Sequence, residues 1–459
     1  MDREEYIQIL TDQIRCAKAR AMVGDEIRMY IDDQAFAFRE QGMGEEQALK
    51  AAVREMGDPV AAGMSMDRIH RPEIPWGMIA LMAVIGLVSA VIHTLFGLGD
   101  PELGISYVKV QIGCTLAGFL AMICVCIVDY SFLAAHGTGT AAGFIGSLLL
   151  MWSFLGQNMN GATRWVHIGG LNIGLETFIY LFVPLYGAVL YRYRKEQVKG
   201  VIMSLLWIAV AAIPAYLMDS FSTRALLVFI LLILFSIAVV RGWFGIRRPK
   251  RFLAVLWMCL IFSGPAYILF QCVTGRTNLL HSRRVRMLLG LDPKGINYAR
   301  YAVLDVLKDS QLIRTGNGDL SKFIGRVPSY NEDYVPAFLA VSFGYAAAAA
   351  LAVLLGLMVY GIFRIAFRQK NELGMMISCG CGMNFTALIL ICLFENVGLL
   401  PHMSFDLPFI SAGGSNMIVS YIMAGIVLSV CRYKSVLPGE LDGKAVTDQA
   451  GLHKKSLRI

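Results

Sequence analysis

The stretch GLLPHMSFDLPFISAGGS, Gly398 to Ser415, follows one apolar run, 374–397, and opens into another, 407–431. Pro401 and Pro408, with Gly413-Gly414-Ser415 behind them, imply irregular backbone at the entry to a membrane. Such backbone survives at membrane depth only where protein or a water-filled cavity covers it. The small residues also suit close helix approach, which needs no function at all. The decision between the two depends on what surrounds the stretch.

What surrounds it is apolar. Of the 459 residues, 56% are hydrophobic and only 16% charged, where a soluble domain carries nearer a quarter charged. From Pro75 onward ten runs approach the length of about 20 residues needed to cross a hydrocarbon core. They cover 76–98, 107–128, 138–155, 175–191, 200–217, 223–240, 252–273, 335–362, 374–397 and 407–431. The fold class expected is all-α, a polytopic membrane protein of about ten transmembrane helices. The net charge of +8 lies in short clusters between apolar runs, the pattern of orientation signals and not of a nucleic-acid partner.

Loops 192–199, 241–251 and 363–373 carry twelve Lys and Arg, against only Arg164 and Arg224 in the alternate short loops 99–106, 156–174, 217–224 and 398–406. That asymmetry predicts both termini in the cytoplasm. One outer loop, 274–334, is long and basic, and long loops are where function tends to sit.

Residues 1–74 differ from the rest: they are charged and hold no spanning run. Helical spacing over 26–40 places Ile27, Tyr30, Ile31 and Phe38 near one face, and a second helix over about 45–56 stops at Gly57-Asp58-Pro59. This part, with its GMGEEQALKAAVREMGDP stretch, resembles the helical prefix domains of some Gram-positive membrane proteins. Three units are expected: a cytoplasmic helical prefix over 1–74, a membrane domain over 75–433 and a basic cytoplasmic tail over 434–459. No signal peptide is expected, since a basic start followed by an apolar core is missing. The ten cysteines lie mostly in or beside apolar runs. They read as small apolar filler, because Cys-Val-Cys and Cys-Gly-Cys lack zinc-ligand spacing.

Three places could carry chemistry. Asp292-Pro293-Lys294-Gly295 is a turn that fixes one carboxylate in a basic loop, with Arg283, Arg284 and Arg286 just upstream. A carboxylate there could accept a proton from an attacking hydroxyl, and arginines grip phosphate through paired hydrogen bonds. The same residues would also make an ordinary solvated turn. Around Arg164 and Trp165, Glu176 opens the fourth run, and an ionisable group in a membrane helix is a functional candidate by default. The stretch 398–415 is the third.

Four stretches, in order, resemble the SEDS family, the RodA/FtsW/SpoVE group of cell-wall glycan polymerases. GLLPHMSFDLPFISAGGS is similar to that family's GLLPxxGxPLPFxSxGGS, and NGATRWVHIGG (160–170) to NGARRWIxLGG. DPKGINY (292–298) resembles DPxGxGY, and VPSYNEDYVPAFLAVSFGY (327–345) resembles LPExHTDFIFAVIGEELG, which puts Asp333 on the family aspartate. The resemblance covers about Pro75 to Tyr433. It implies a peptidoglycan glycosyltransferase that polymerises lipid II, an undecaprenyl-diphosphate-linked disaccharide-pentapeptide, at the outer face of a bacterial cell membrane. Asp292 would be the catalytic general base. Substrate would be bound by Arg164, Trp165, Glu176, Arg283, Arg284, Arg286, Asp333, Pro408, Ser411, Gly413, Gly414 and Ser415. A class B penicillin-binding protein would be the partner. No metal ligands stand out in the sequence, although a divalent cation, Mg or Mn, would assist at the diphosphate.

The chain departs from that pattern in places. The family's Gln-Pro-Ser-Glu is Gly174-Leu175-Glu176-Thr177 here, paired acids become Val341 and Ser342, and the family glycine and proline become Ser404 and Asp406. The family asparagine six residues before Gly398 is Cys392. Two rival functions fit the same outline: a lipid-carrier translocase, which would want polar groups such as Asn384, Glu395 and Asn396 along a midplane path, and a non-catalytic scaffold of a division or sporulation complex.

Overall fold

The structure is a computed structural model of the full chain and describes residues 1–100, 102–159, 162–168, 171–274, 286–287, 290–291, 295, 297–313 and 320–434. Four helices come first: α1 (Arg3–Asp12), α2 (Ala17–Glu40), α3 (Glu45–Glu55) and α4 (Pro59–His70). Asp2 and Glu5 close a reciprocal capping box on α1, and Asp58 accepts from Val60 N and Ala61 N to start α4. Tyr6, Leu10, Ile27, Ile31 and Val53 form a core of their own, separate from that of the membrane helices. Ile27 and Ile31 face this core as expected, with Phe38 packed beside it, but Tyr30 is exposed. At 100° per residue Tyr30 falls beside the buried stripe and not on it.

The membrane part begins with α5 (Trp76–Gly99), α6 (Gly104–Ile127) and α7 (Phe132–Leu155). The next connection is not a plain loop. β1 (Gly156–Met159), β2 (Ala162–Ile168) and β3 (Leu171–Gly174) pair antiparallel in that order, with Gly156 opposite Val166 and Trp165 opposite Gly174. Thr163, Trp165, Val166 and Ile168 are strand formers, a signal the all-helical expectation passed over. The expected fourth span then appears in pieces: α8 (Leu175–Phe178), a 3-10 turn over Ile179–Leu181, and α9 (Phe182–Arg192). Pro184 has no N–H to give the carbonyl four residues back, at Tyr180, so the helix is interrupted there.

α10 (Gln197–Leu217), α11 (Phe221–Val240) and α12 (Pro249–Val273) follow, then α13 (Tyr298–Leu307) and α14 (Leu320–Arg326) in the long connection. The expected span over 335–362 is two helices, α15 (Val335–Phe343) and α16 (Tyr345–Phe367), broken at Gly344. Gly344 has φ +95, and a Cβ there would lie 2.6 Å from Leu312 O. The long connection passes against the break and takes hydrogen bonds from Tyr345 N to Gln311 O and from Ala346 N to Leu312 O, both 3.0 Å. α17 (Glu372–Asn396) and α18 (Gly414–Arg432) complete the chain. The last helix starts at Gly414, not at 407, because Pro408 and Gly413 keep the preceding residues out of helical conformation.

Among the described residues nine helices are long and apolar enough to cross a membrane: α5, α6, α7, α10, α11, α12, α16, α17 and α18. Their connections sort to two ends. At the basic end, Lys195 N bonds Trp243 O at 2.8 Å and Trp243 Nε1 reaches Glu372 at 3.3 Å. At the other end Ala412 N bonds Asn331 O at 2.9 Å and Arg164 Nη2 bonds Asp219 O at 2.7 Å. Cysteine-labelling checks which end faces out: a cysteine at the exposed Asp309 should react with an impermeant thiol reagent in intact cells. One at the exposed Lys370 should react only after the membrane is opened; the reverse pattern refutes the orientation.

Candidate functional site

Two irregular segments meet at the long-loop end: 327–334, which leads into α15, and 397–413, which leads into α18. Neither has a helix ladder to satisfy its backbone, so turn bonds and side chains share the task. Asn396, 3% exposed, accepts from Ala337 N and donates to Asp333 O, each at 2.8 Å. Ser411 accepts from Leu407 N at 2.7 Å and donates to Glu332 O. Asn416 donates to Leu407 O at 3.2 Å, and Ser415 accepts from Gly174 N at 2.8 Å. Of the signature residues singled out as substrate ligands, Ser411 and Ser415 therefore bind backbone, Pro408 is buried, Gly413 carries φ +133 at the head of α18, and Gly414 abuts Cys114 of α6.

The long connection is fastened to the same place. Asn297, 1% exposed, donates to Leu291 O at 2.6 Å and Arg286 O at 3.2 Å, so it clamps the two sides of the motif turn. Arg300 donates to Gly398 O at 2.8 Å. Gly398, at φ +70, lies so close to Leu304 of α13 that a Cβ would meet it at 2.7 Å. Asp292, Arg283 and Arg284 lie outside the described residues; Arg286, beside them in sequence, is half-buried.

Arg164 is committed elsewhere. Its Nε and Nη2 bond the carbonyls of Met218 and Asp219 at 3.1 and 2.7 Å, and Nη1 stands 3.7 Å from Glu176. This ties the sheet to the α10–α11 connection. Trp165 is exposed on β2.

The turn also gathers acids. Burial pushes the Asp333 carboxyl well above the usual carboxylate range, and Asp406, Glu395 and Glu332 add to it. Burial, then Glu332 and Glu176, push Asp406 up to about 8. His402 Nε2 is 3.8 Å from Asp333 Oδ2, its Nδ1 is 3.3 Å from Tyr334 OH, and burial pushes its pKa down. Burial disfavours the charged form of both partners, which works against an ion pair at this contact. Ser404 stands where the family pattern has glycine, at φ +55, and its Oγ lies 3.1 Å from His402 Nε2. The left-handed backbone that glycine adopts freely is retained here by a serine. His402, Asn297, Arg300 and the structural role of Asn396 were not drawn from the sequence; lone polar residues without periodic pattern announce no partner.

A family model described as cell cycle protein, FtsW/RodA/SpoVE, matches residues 72–436. The chain belongs to the FtsW/RodA/SpoVE family. Among family relatives, the probable peptidoglycan glycosyltransferase FtsW of Pseudoalteromonas translucida is 25% identical over 62% of this chain and 70% of its own. That of Hydrogenovibrio crunogenus is 26% identical over 77% and 90%. The fold is that of a chain in a peptidoglycan synthase complex that coordinates polymerization and crosslinking, at TM-score 0.63, 20% identity, 78% of this chain and 98% of that one. It is also that of the rod shape determining protein RodA of Thermus thermophilus, at TM-score 0.53, 19% identity, 79% and 97%. The FtsW/RodA/SpoVE pattern thus covers the membrane helices and leaves α1–α4 outside it.

Two outcomes are expected. Asn396→Ala strands the Ala337 N–H at roughly 1–3 kcal/mol and leaves Asp333 O only the weak Cys392 thiol donor, so the purified protein should melt measurably earlier, whereas Asn331→Ala, whose backbone and not side chain bridges to Ala412, should change little. For pH, a carboxyl with a raised folded pKa stabilises while protonated; its contribution is full below the ordinary carboxylate pKa and lost as pH rises through the raised value. Wild-type melting temperature should fall on alkalinisation, and Asp333→Asn should flatten that fall. An equal slope in both proteins removes Asp333 from the account.

Proposed function

We propose that this chain is a peptidoglycan glycosyltransferase that polymerises lipid II, with Asp292 as general base. The observation that carries the reading is the fastening of three motif segments to one another: Arg300, two residues beyond DPKGINY, holds Gly398 of the signature, while Ser411 of the signature holds the 327–334 turn through Glu332 O. Motifs far apart in sequence share one end of the helix bundle, as one site requires.

In the reaction, an acceptor sugar hydroxyl attacks the anomeric carbon of a lipid-linked donor. The new C–O bond forms as the bond to the undecaprenyl diphosphate breaks. Asp292 takes the hydroxyl proton in that step. Arg283, Arg284 and Arg286 would neutralise the departing diphosphate, and the apolar helix faces would take the polyprenyl tail. Arg164 and Glu176 support the site at one remove, since the guanidinium is spent on the 218–219 carbonyls. A divalent cation, magnesium or manganese, would assist at the departing diphosphate. A class B penicillin-binding protein is the proposed partner. The proposed setting is the cytoplasmic membrane of a Gram-positive bacterium with both termini inside, residues 1–74 as a cytoplasmic domain and 434–459 as a basic tail.

The translocase reading loses two of the three residues it called on. Asn396 is spent on the Ala337 and Asp333 backbone and Glu395 accepts from Met403 N, so neither lines a path.

Purified protein with labelled lipid II, with and without a partner, tests the proposal. Asp292→Asn should keep lipid II binding and lower turnover by about 10²–10⁴-fold. Asp305→Asn should be nearly silent, because its exposed pairs with Lys308 and Arg326 are worth little. Wild-type turnover in Asp292→Asn would refute the assignment and make Asp333 the next carboxylate to test.

A further inference from the structure

The two faces of the β1–β3 sheet differ. Arg164 of β2 turns inward to the Met218 and Asp219 carbonyls, and Val166 is fully buried. Ile173 of β3, opposite Val166, packs against the core on that side. Alternation along a strand puts Trp165 and His167 on the other face. Residues directly opposite in an antiparallel pair share a face. Gln157 and Gly174, which flank Trp165, and Asn172, which stands opposite His167, therefore join them there. Gln157, Trp165, His167 and Asn172 are all exposed.

The indole of Trp165, 39% exposed, leans across to Gly174, where an added Cβ would stand 3.5 Å from Cζ3. Asn172 Oδ1 lies 2.7 Å from His167 Nδ1. With that amide oxygen accepting, a neutral ring carries its proton on Nδ1 and offers Nε2 as an acceptor. The Gln157 amide adds donors and an acceptor. None of these four side chains is a carboxylate, lysine or arginine. A tryptophan at a lipid interface also stands exposed, but amides and an imidazole beside it on the same face gain nothing from hydrocarbon. A flat aromatic face ringed by uncharged hydrogen-bonding groups suits a neutral ring with C–H faces and polar edges. An acetamido sugar has that form, whereas a diphosphate would call for cations. Gly174 N donates to Ser415 Oγ at 2.8 Å, so this sheet is joined directly to the signature segment.

We propose that this sheet face is a docking platform for the sugar chain that the site produces. Trp165 stacks on one sugar ring, and Gln157, His167 and Asn172 bond hydroxyl and acetamido groups beside it. The inference rests on the glycosyltransferase reading and deepens it. It assigns Trp165 to the glycan and not to the diphosphate, and it adds three residues that the family motifs did not single out. A strand held on the platform stays beside the signature segment between one addition and the next.

The test uses full-length protein in lipid nanodiscs and soluble N-acetylchitooligosaccharides as probes. Binding is followed by saturation-transfer NMR, which needs no turnover. Wild type should bind the probes, and Trp165→Ala should weaken binding by roughly 3–10-fold, the worth of one aromatic contact. Trp165→Phe should keep most of the binding, and His167→Ala should lose part of it. Trp76→Ala, at an exposed tryptophan on the opposite end of the bundle, should bind as wild type does. With lipid II, Trp165→Ala should make shorter strands than wild type. A wild type that makes no glycan removes the glycosyltransferase reading, and probe binding still decides the platform. If Trp165→Ala fails to fold, His167→Ala and Gln157→Ala, both at exposed positions, carry the test. A wild type that binds no probe, or variants at Trp165, His167 and Gln157 that all bind as wild type does, overturns the platform and leaves Trp165 a membrane-interface anchor.

Discussion

Asn396 satisfies two backbone groups with one side chain, the N–H of Ala337 and the carbonyl of Asp333. Everything at the long-loop end of the molecule depends on that economy. The chain leaves helical conformation at 327–334 and again at 397–413, and each departure frees polar groups where little water reaches. Asn396, Ser411, Ser415, Asn416 and Arg300 answer them from neighbouring elements. The irregular segments are thereby held as firmly as helices, and a catalytic end assembled from them can keep its geometry.

The same accounting explains the signature. Its serines look like ligands for a polar substrate, but Ser411 and Ser415 have their hydrogen bonds inside the protein. Pro408 and Gly413 delay α18 until Gly414 and so create the segment that needs those bonds. Arg164 repeats the lesson on the sheet, where most of a guanidinium goes to the carbonyls of Met218 and Asp219. Residues of the signature can hold backbone, as Ser411 and Ser415 do here.

How far the sequence could be read follows from what carries each feature. The spans are a property of runs of about 20 residues, and run boundaries such as 76–98 against Trp76–Gly99 agree closely. Breaks inside runs depend on single residues. Pro184 interrupts the fourth, and Gly344 divides the eighth only because Gln311 and Leu312, more than thirty positions earlier, supply the acceptors. The three strands were legible in Thr163, Trp165 and Val166, had period two been sought in a short loop. The site was legible as motifs in order, yet its glue was not: Asn297, Asn396 and His402 are isolated polar residues whose partners lie dozens of positions away.

Those separations bear on how the protein is made. The bonds that close the long-loop end join residues 59, 63, 79 and 98 positions apart, whereas α5 can pair with α6, and α10 with α11, as soon as each emerges. Distant pairings form late, because the intervening chain must be ordered first. During synthesis, then, the turn ahead of α15 waits with Ala337 N and Asp333 O unanswered until α17 has entered the membrane, and Glu332 O waits for the segment beyond it. A ribosome stalled before Asn396 would leave a chain with most of its helices inserted and its functional end unbuilt. The stretch from Asn396 to Asn416 is where the molecule becomes a single object.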